Sequence, residues 1–123
     1  MSTPFTLVYR PEARKEYDQL DGSQKDLIDA GLRKLVMRAD EIGKPLSGTL
    51  AGCRALKWRK AGLRLVYRIG AGGYVEIVEI IAIGKREDSQ VYEIASSRLR
   101  LENSWLMDYV RARKAEKSGS LDE

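Results

Sequence analysis

The stretch YVEIVEIIAI, Tyr74 to Ile83, is apolar on both of its alternating faces, with one glutamate on each (Glu76 and Glu79). A strand hidden on both faces needs neighbours on either side, so this segment reads as the central strand of a sheet. Glycines bound it: GAGG (Gly70 to Gly73) before and Gly84 after. GAGG reads as a turn. It fails as a phosphate loop, because neither a helix start nor a Lys-Ser/Thr pair follows it.

The remaining elements are arranged around this strand. Arg54 to Lys60 and Leu63 to Ile69 precede it, and Ala61-Gly62 between them reads as a tight antiparallel hairpin. Phe5 to Tyr9 reads as a short first strand. Pro11 suits the first position of a helix that continues to about Leu20. Ser23 reads as the N-cap of a second helix. There Leu27, Ile28, Leu32, Leu35 and Val36 recur at helical spacing to about Ile42, stopping at Gly43. These two helices form a hairpin, and KPLSGTLAG after them reads as a loop. Beyond Gly84 a helix starts near Asp88, capped by Asp88 or Ser89, with Val91, Ile94, Ala95 and Leu99 inward. SWLMDYVRARKAEK is amphipathic and SGSLDE is a polar tail. The order β-α-α-β-β-β-α predicts an α+β domain, with helices packed on one antiparallel sheet.

Charge narrows the function. The net charge of +4 conceals a block from Lys44 to Val75 with seven bases (Lys44, Arg54, Lys57, Arg59, Lys60, Arg64, Arg68) and no acid. The rest of the chain sets 15 bases against 18 acids. A basic block in a mildly acidic chain is a footprint for a polyanion; salt bridges to acids elsewhere are the competing explanation. The absence of histidine excludes histidine-based catalysis and, with Cys53 the single cysteine, argues against a transition-metal site. One cysteine also fits a reducing cytosol. Neither a signal peptide nor a membrane span is apparent.

Strand alternation sharpens the footprint. Leu56 and Trp58 point toward the helices, as do Leu63, Leu65, Tyr67 and Ile69. Lys57, Arg59, Arg64 and Arg68 then share the open face, with Arg59 roughly opposite Arg64. Like charges opposite one another destabilise a sheet by up to about 1 kcal/mol, which an arriving anion would relieve. Arginine offers planar forks to phosphate and lysine a point charge. Glu76 or Glu79 is the acid able to neutralise the patch from within.

Pro11-Glu12-Ala13 before the helical hairpin, Leu46-x-Gly48, Lys57-x-Arg59, GLRLVYRI and GKREDSQVY, in this order, resemble the RelE/ParE toxin superfamily. The resemblance covers about Phe5 to Leu99 and is closest to the RelE-like mRNA interferases of type II toxin–antitoxin pairs. It implies a RelE-like toxin domain over residues 1–99, a C-terminal helical extension over 100–117 and a polar tail over 118–123. It implies a cytoplasmic, ribosome-dependent endoribonuclease needing no metal or other cofactor. A 2′-hydroxyl attacks the adjacent phosphate of mRNA in the A site, leaving a 2′,3′-cyclic phosphate and a 5′-hydroxyl.

By the same resemblance the catalytic positions are Lys57, Arg64, Arg86 and Tyr92. The family's first active-site lysine falls on Ala55, a departure that bears on the rate and on the general base; Arg54 or Lys60 could supply the missing charge. Lys57 is the candidate base or electrostatic activator, its pKa pushed down by Arg59 and Arg64. Arg64 and Arg86 would stabilise the phosphate, and Arg86 could also assist the leaving oxygen. Tyr92 would orient the nucleophile or stack a base. Arg54, Arg59, Lys60, Arg68 and Lys85 are candidate RNA contacts. The implied partners are a cognate antitoxin, the ribosome with its mRNA, and operator DNA only through the antitoxin. The alternatives are a ParE-like gyrase inhibitor without nuclease chemistry, and a catalytically impaired relative that keeps antitoxin binding.

Overall fold

The computed structural model describes residues 4–85 and 90–100. Five strands form one sheet in the order β1-β5-β4-β3-β2. They are β1 (Thr6–Tyr9), β2 (Lys44–Pro45), β3 (Cys53–Trp58), β4 (Leu63–Ile69) and β5 (Ile77–Lys85). The strand read as central, β5, lies between β1 and β4, and most of it is buried. The pairs among β2, β3, β4 and β5 are antiparallel. β1 runs parallel to β5, so the sheet is mixed rather than wholly antiparallel. The crossover between these two strands carries the helical hairpin.

The hairpin consists of α1 (Pro11–Asp18) and α2 (Gly22–Arg38). Pro11 opens α1, as expected. The N-cap of α2 is Asp21, not Ser23. Its carboxylate accepts from the Gln24 backbone N–H at 2.8 Å and from the Ser23 hydroxyl at 2.9 Å, while the Gln24 side chain accepts from the Asp21 N–H at 3.0 Å. This is a reciprocal capping box, and Ser23 lies in the first turn. The far end of α2 also differs from expectation: it stops at Arg38 instead of continuing to Ile42. The Tyr67 hydroxyl of β4 lies 2.9 Å from the Ala39 carbonyl and 2.6 Å from the Ile42 carbonyl, and so holds the chain in a turn there.

Ala13, Ile28 and Leu35 of the hairpin pack against Leu63, Leu65, Tyr67, Val78, Ile80 and Ile83, with Leu56 and Trp58 alongside. α3 (Gln90–Arg100) packs on the opposite face, where Val91 and Ala95 meet Val66, Ile81 and Ala82. The sheet is therefore covered on both faces. The expected cap of α3 (Asp88 or Ser89) lies outside the described residues, as do the expected extension over 100–117, apart from its first residue, and the polar tail over 118–123.

Two features of register position the site. Four residues, Arg59 to Gly62, link β3 and β4, because Trp58 pairs with Leu63. Gly62 closes this loop with φ 67° and donates its N–H to the Arg59 carbonyl at 3.2 Å. Farther along, Val66 pairs with Ala82 and Tyr67 with Ile80, which leaves Ile81 as an extra residue in β5. Past this bulge β5 changes phase relative to β4.

Candidate active site

β3 and β4 bring Lys57 and Arg64 directly opposite each other. The expected partner of Arg64 was Arg59, two residues farther on; the four-residue loop accounts for the difference. A slip of two residues preserves the face of every side chain. Lys57, Arg64 and Arg68 accordingly share the face opposite the helical hairpin, as the alternation indicates.

Arg64 donates from its guanidinium to the Tyr92 hydroxyl, and its central carbon lies 4.9 Å from the centre of the Tyr92 ring. Tyr92 reaches it from the first turn of α3, which is seated on the sheet through buried Val91. The residue opposite Arg64 on its other flank is Gly84, which presents no side chain beside the guanidinium. Accepting from Arg64 leaves the tyrosine its own O–H to donate elsewhere. Lys57, Arg59, Leu63 and Arg64 line a cleft of about 200 Å³. A separate groove of about 590 Å³ is lined by Tyr92 together with Leu46, Leu50 and Ser96.

The Lys57 ammonium is held below the ordinary lysine range. Loss of hydration is the largest cause, followed by the positive charges of Lys44, Arg64 and Arg59. Lys44 counts in the sequence only as the first base of the cationic block, with no site role. Its place at the site depends on the pairing of β2 with β3, two residues inside a stretch that reads as a loop. The turn-rich composition of KPLSGTLAG hides that pairing.

Other candidates are placed elsewhere. Arg54 points to the hairpin face, where it donates to the Ile42 carbonyl at 3.0 Å and the Gly43 carbonyl at 3.4 Å. Arg68 lies on the cationic face but pairs with Glu79, which is fully buried and also 3.1 Å from Arg10. Of the two acids considered, Glu79 is the one that meets the patch, and it neutralises only this end. Lys85 ends β5 near Asp21, whose carboxyl its charge helps to hold below the usual range after the contributions of Gln24 and Ser23. Lys60 is exposed in the β3–β4 loop. Arg86 lies outside the described residues. Cys53 is buried, and burial pushes its thiol up, which fits a packed side chain rather than a nucleophile.

Among the described residues no group of three or more acidic or cysteine side chains could hold a metal ion. Nor, among them, is any helix long and apolar enough to cross a membrane. The donors present are cationic and phenolic. They can bind a phosphodiester, accept a proton at one amine, and stabilise charge on non-bridging oxygens.

No family model matches the chain. An Escherichia coli protein named as a RelE-like toxin is 32% identical over 96 residues, which is 78% of this chain and 98% of the relative. A mutant Escherichia coli toxin RelE in the free state superposes with a TM-score of 0.63 at 29% identity, covering 80% of this chain and 98% of that one. The same toxin in complex with a peptide of its antitoxin gives 0.60 at 28% identity, covering 75% and 94%.

Proposed function

The chain belongs to the RelE-like toxins of toxin–antitoxin systems, and from that premise we propose that it is a ribosome-dependent endoribonuclease that cuts mRNA in the A site. One observation supports the chemistry above the others. Lys57 and Arg64 line one cleft as like charges paired across β3 and β4, the amine's pKa is depressed, and Tyr92 of α3 is bonded to Arg64.

Lys57 takes the proton of a 2′-hydroxyl. The freed oxygen forms a bond to the adjacent phosphorus, and the bond to the 5′-oxygen breaks, leaving a 2′,3′-cyclic phosphate. Arg64 faces the charge that builds on the non-bridging oxygens. Tyr92 anchors Arg64 and directs its remaining O–H, or its ring, at the splayed nucleotide. Family resemblance gives Arg86 the part of holding the charge on the departing 5′-oxygen, which takes a proton from water and leaves as a hydroxyl. Arg59 stands at the rim as a contact to backbone phosphate. Arg54 and Arg68 are left out of the RNA set, because their charges are directed at the protein itself, while exposed Lys60 and Lys85 stay in it as contacts to backbone phosphate. The part the lost family lysine would play does not fall to Arg54.

The working location is the cytoplasm, with a cognate antitoxin as the restraining partner. The antitoxin complex of the related Escherichia coli toxin supports that partner. Primer extension on mRNA engaged in translating ribosomes tests the activity. New cuts within A-site codons, absent on naked RNA and absent with Lys57→Ala, are expected. Intact message in every case would overturn the reading and direct attention to gyrase instead.

A further inference from the structure

A row of cations crosses three strands on one face. Lys44 on β2 stands opposite Ala55 on β3, and Lys57 is two residues beyond Ala55 on the same strand and the same face. Lys44 and Lys57 are thus diagonal cross-strand neighbours, a relation that brings Cβ atoms within roughly 7–8 Å and leaves long side chains in reach. Arg64 continues the row on β4. The residue beside them on that face, Ala55, offers only a methyl group and is buried. Lys44 itself is exposed on a two-residue edge strand.

We propose that Lys44 is a positioning residue that acts through Lys57, its ammonium brought to the site from the edge strand by the β2–β3 register and keeping the Lys57 amine available to the RNA. This rests on the ribonuclease reading for its purpose, and on strand register for its geometry. The charged groups that act on Lys57 are Lys44 from β2, Arg59 from the loop after β3 and Arg64 from β4; α3 contributes Tyr92 through Arg64. All three charges are positive, and Lys44 is the largest of them in its effect on Lys57. Each positive neighbour makes the protonated amine less favourable. Removing Lys44 therefore raises the pH at which Lys57 gives up its proton.

The test follows the side-chain signal of Lys57 by NMR in ¹³C-lysine-labelled full-length protein, assigned by its loss in Lys57→Arg. In Lys44→Ala the signal is expected to titrate at higher pH than in the wild type, and in Lys44→Arg at the wild-type position. On translating ribosomes the acidic limb of the cleavage profile moves the same way in Lys44→Ala, and Lys44→Arg restores it. Cleavage at neutral pH falls by roughly tenfold or less, against the ~10² to 10⁴ that a proton-transfer group contributes. An identical Lys57 titration in wild type and Lys44→Ala would overturn the proposal, as would an unmoved limb in a variant that still cuts. If the wild type leaves mRNA whole, the ribonuclease reading fails, yet the titration still decides whether Lys44 acts on Lys57.

Discussion

Lys57 carries the sharpest residue-scale consequence. Its folded pKa lies below the ordinary lysine value, so the neutral amine gains population at a lower pH than on a free side chain. A rate that depends on the neutral form rises with pH through that lowered pKa and levels off above it. Lys57→Arg keeps the charge but stays protonated throughout. Single-turnover cleavage of ribosome-bound mRNA is expected to fall by about 10²- to 10⁴-fold in Lys57→Arg and to lose its acidic limb. Tyr92→Phe is a gentler change. It keeps the ring against Arg64 and deletes the hydroxyl that accepts from it. The net value of such a bond to stability is about 1 kcal/mol, so the unfolding midpoint is expected to drop by a few degrees, with cleavage in the same assay lowered because Arg64 loses its anchor.

At the scale of elements, the seam between α2 and the sheet is unusually close. A Cβ built at Gly31 would stand 2.6 Å from the Trp58 ring. In an exposed helix interior, alanine in place of glycine gains about 1 kcal/mol. Here overpacking reverses the sign, and Gly31→Ala is expected to destabilise the fold by about 1–3 kcal/mol in urea titration. This contact also shows which parts of the fold are legible in the sequence. Face assignments on β3 and β4 depend only on alternation, so Lys57 and Arg64 could be placed on one surface before their pairing was known. Register depends on loop length, and Gly62 closes a four-residue loop rather than a two-residue one. The end of α2 depends on a hydroxyl 25 residues away from Ile42 in sequence. Neither the closeness of Gly31 to Trp58 nor the edge pairing that brings in Lys44 leaves a periodic trace. The Tyr92 contact with Arg64 joins residues 28 apart in sequence; family resemblance named both residues but not the bond between them.

Across the whole molecule, one buried carboxylate joins parts that are remote in sequence. Glu79 on β5 meets Arg10 at the junction of β1 and α1 and Arg68 on β4, and Arg10 also donates to the Arg98 carbonyl of α3 at 3.0 Å. Glu79→Ala leaves arginine charge facing a dry interior. A loss of about 3–5 kcal/mol is expected for breaking such a pair from one side, read as an early unfolding midpoint. The bulge at Ile81 has a different kind of reach. Pairing straight on from Tyr67 and Ile80, with Ile81 set against Val66 instead of bulged out, would bring Ile83, not Gly84, against Arg64. An in-frame loss of the Ile81 codon would keep Val66 against Ala82 and Arg64 against Gly84, yet take away a buried isoleucine of the cluster on which α3 and its Tyr92 are seated. For a lineage that inherits the toxin without its antidote, one deleted triplet in the middle of the sheet is a short route to survival.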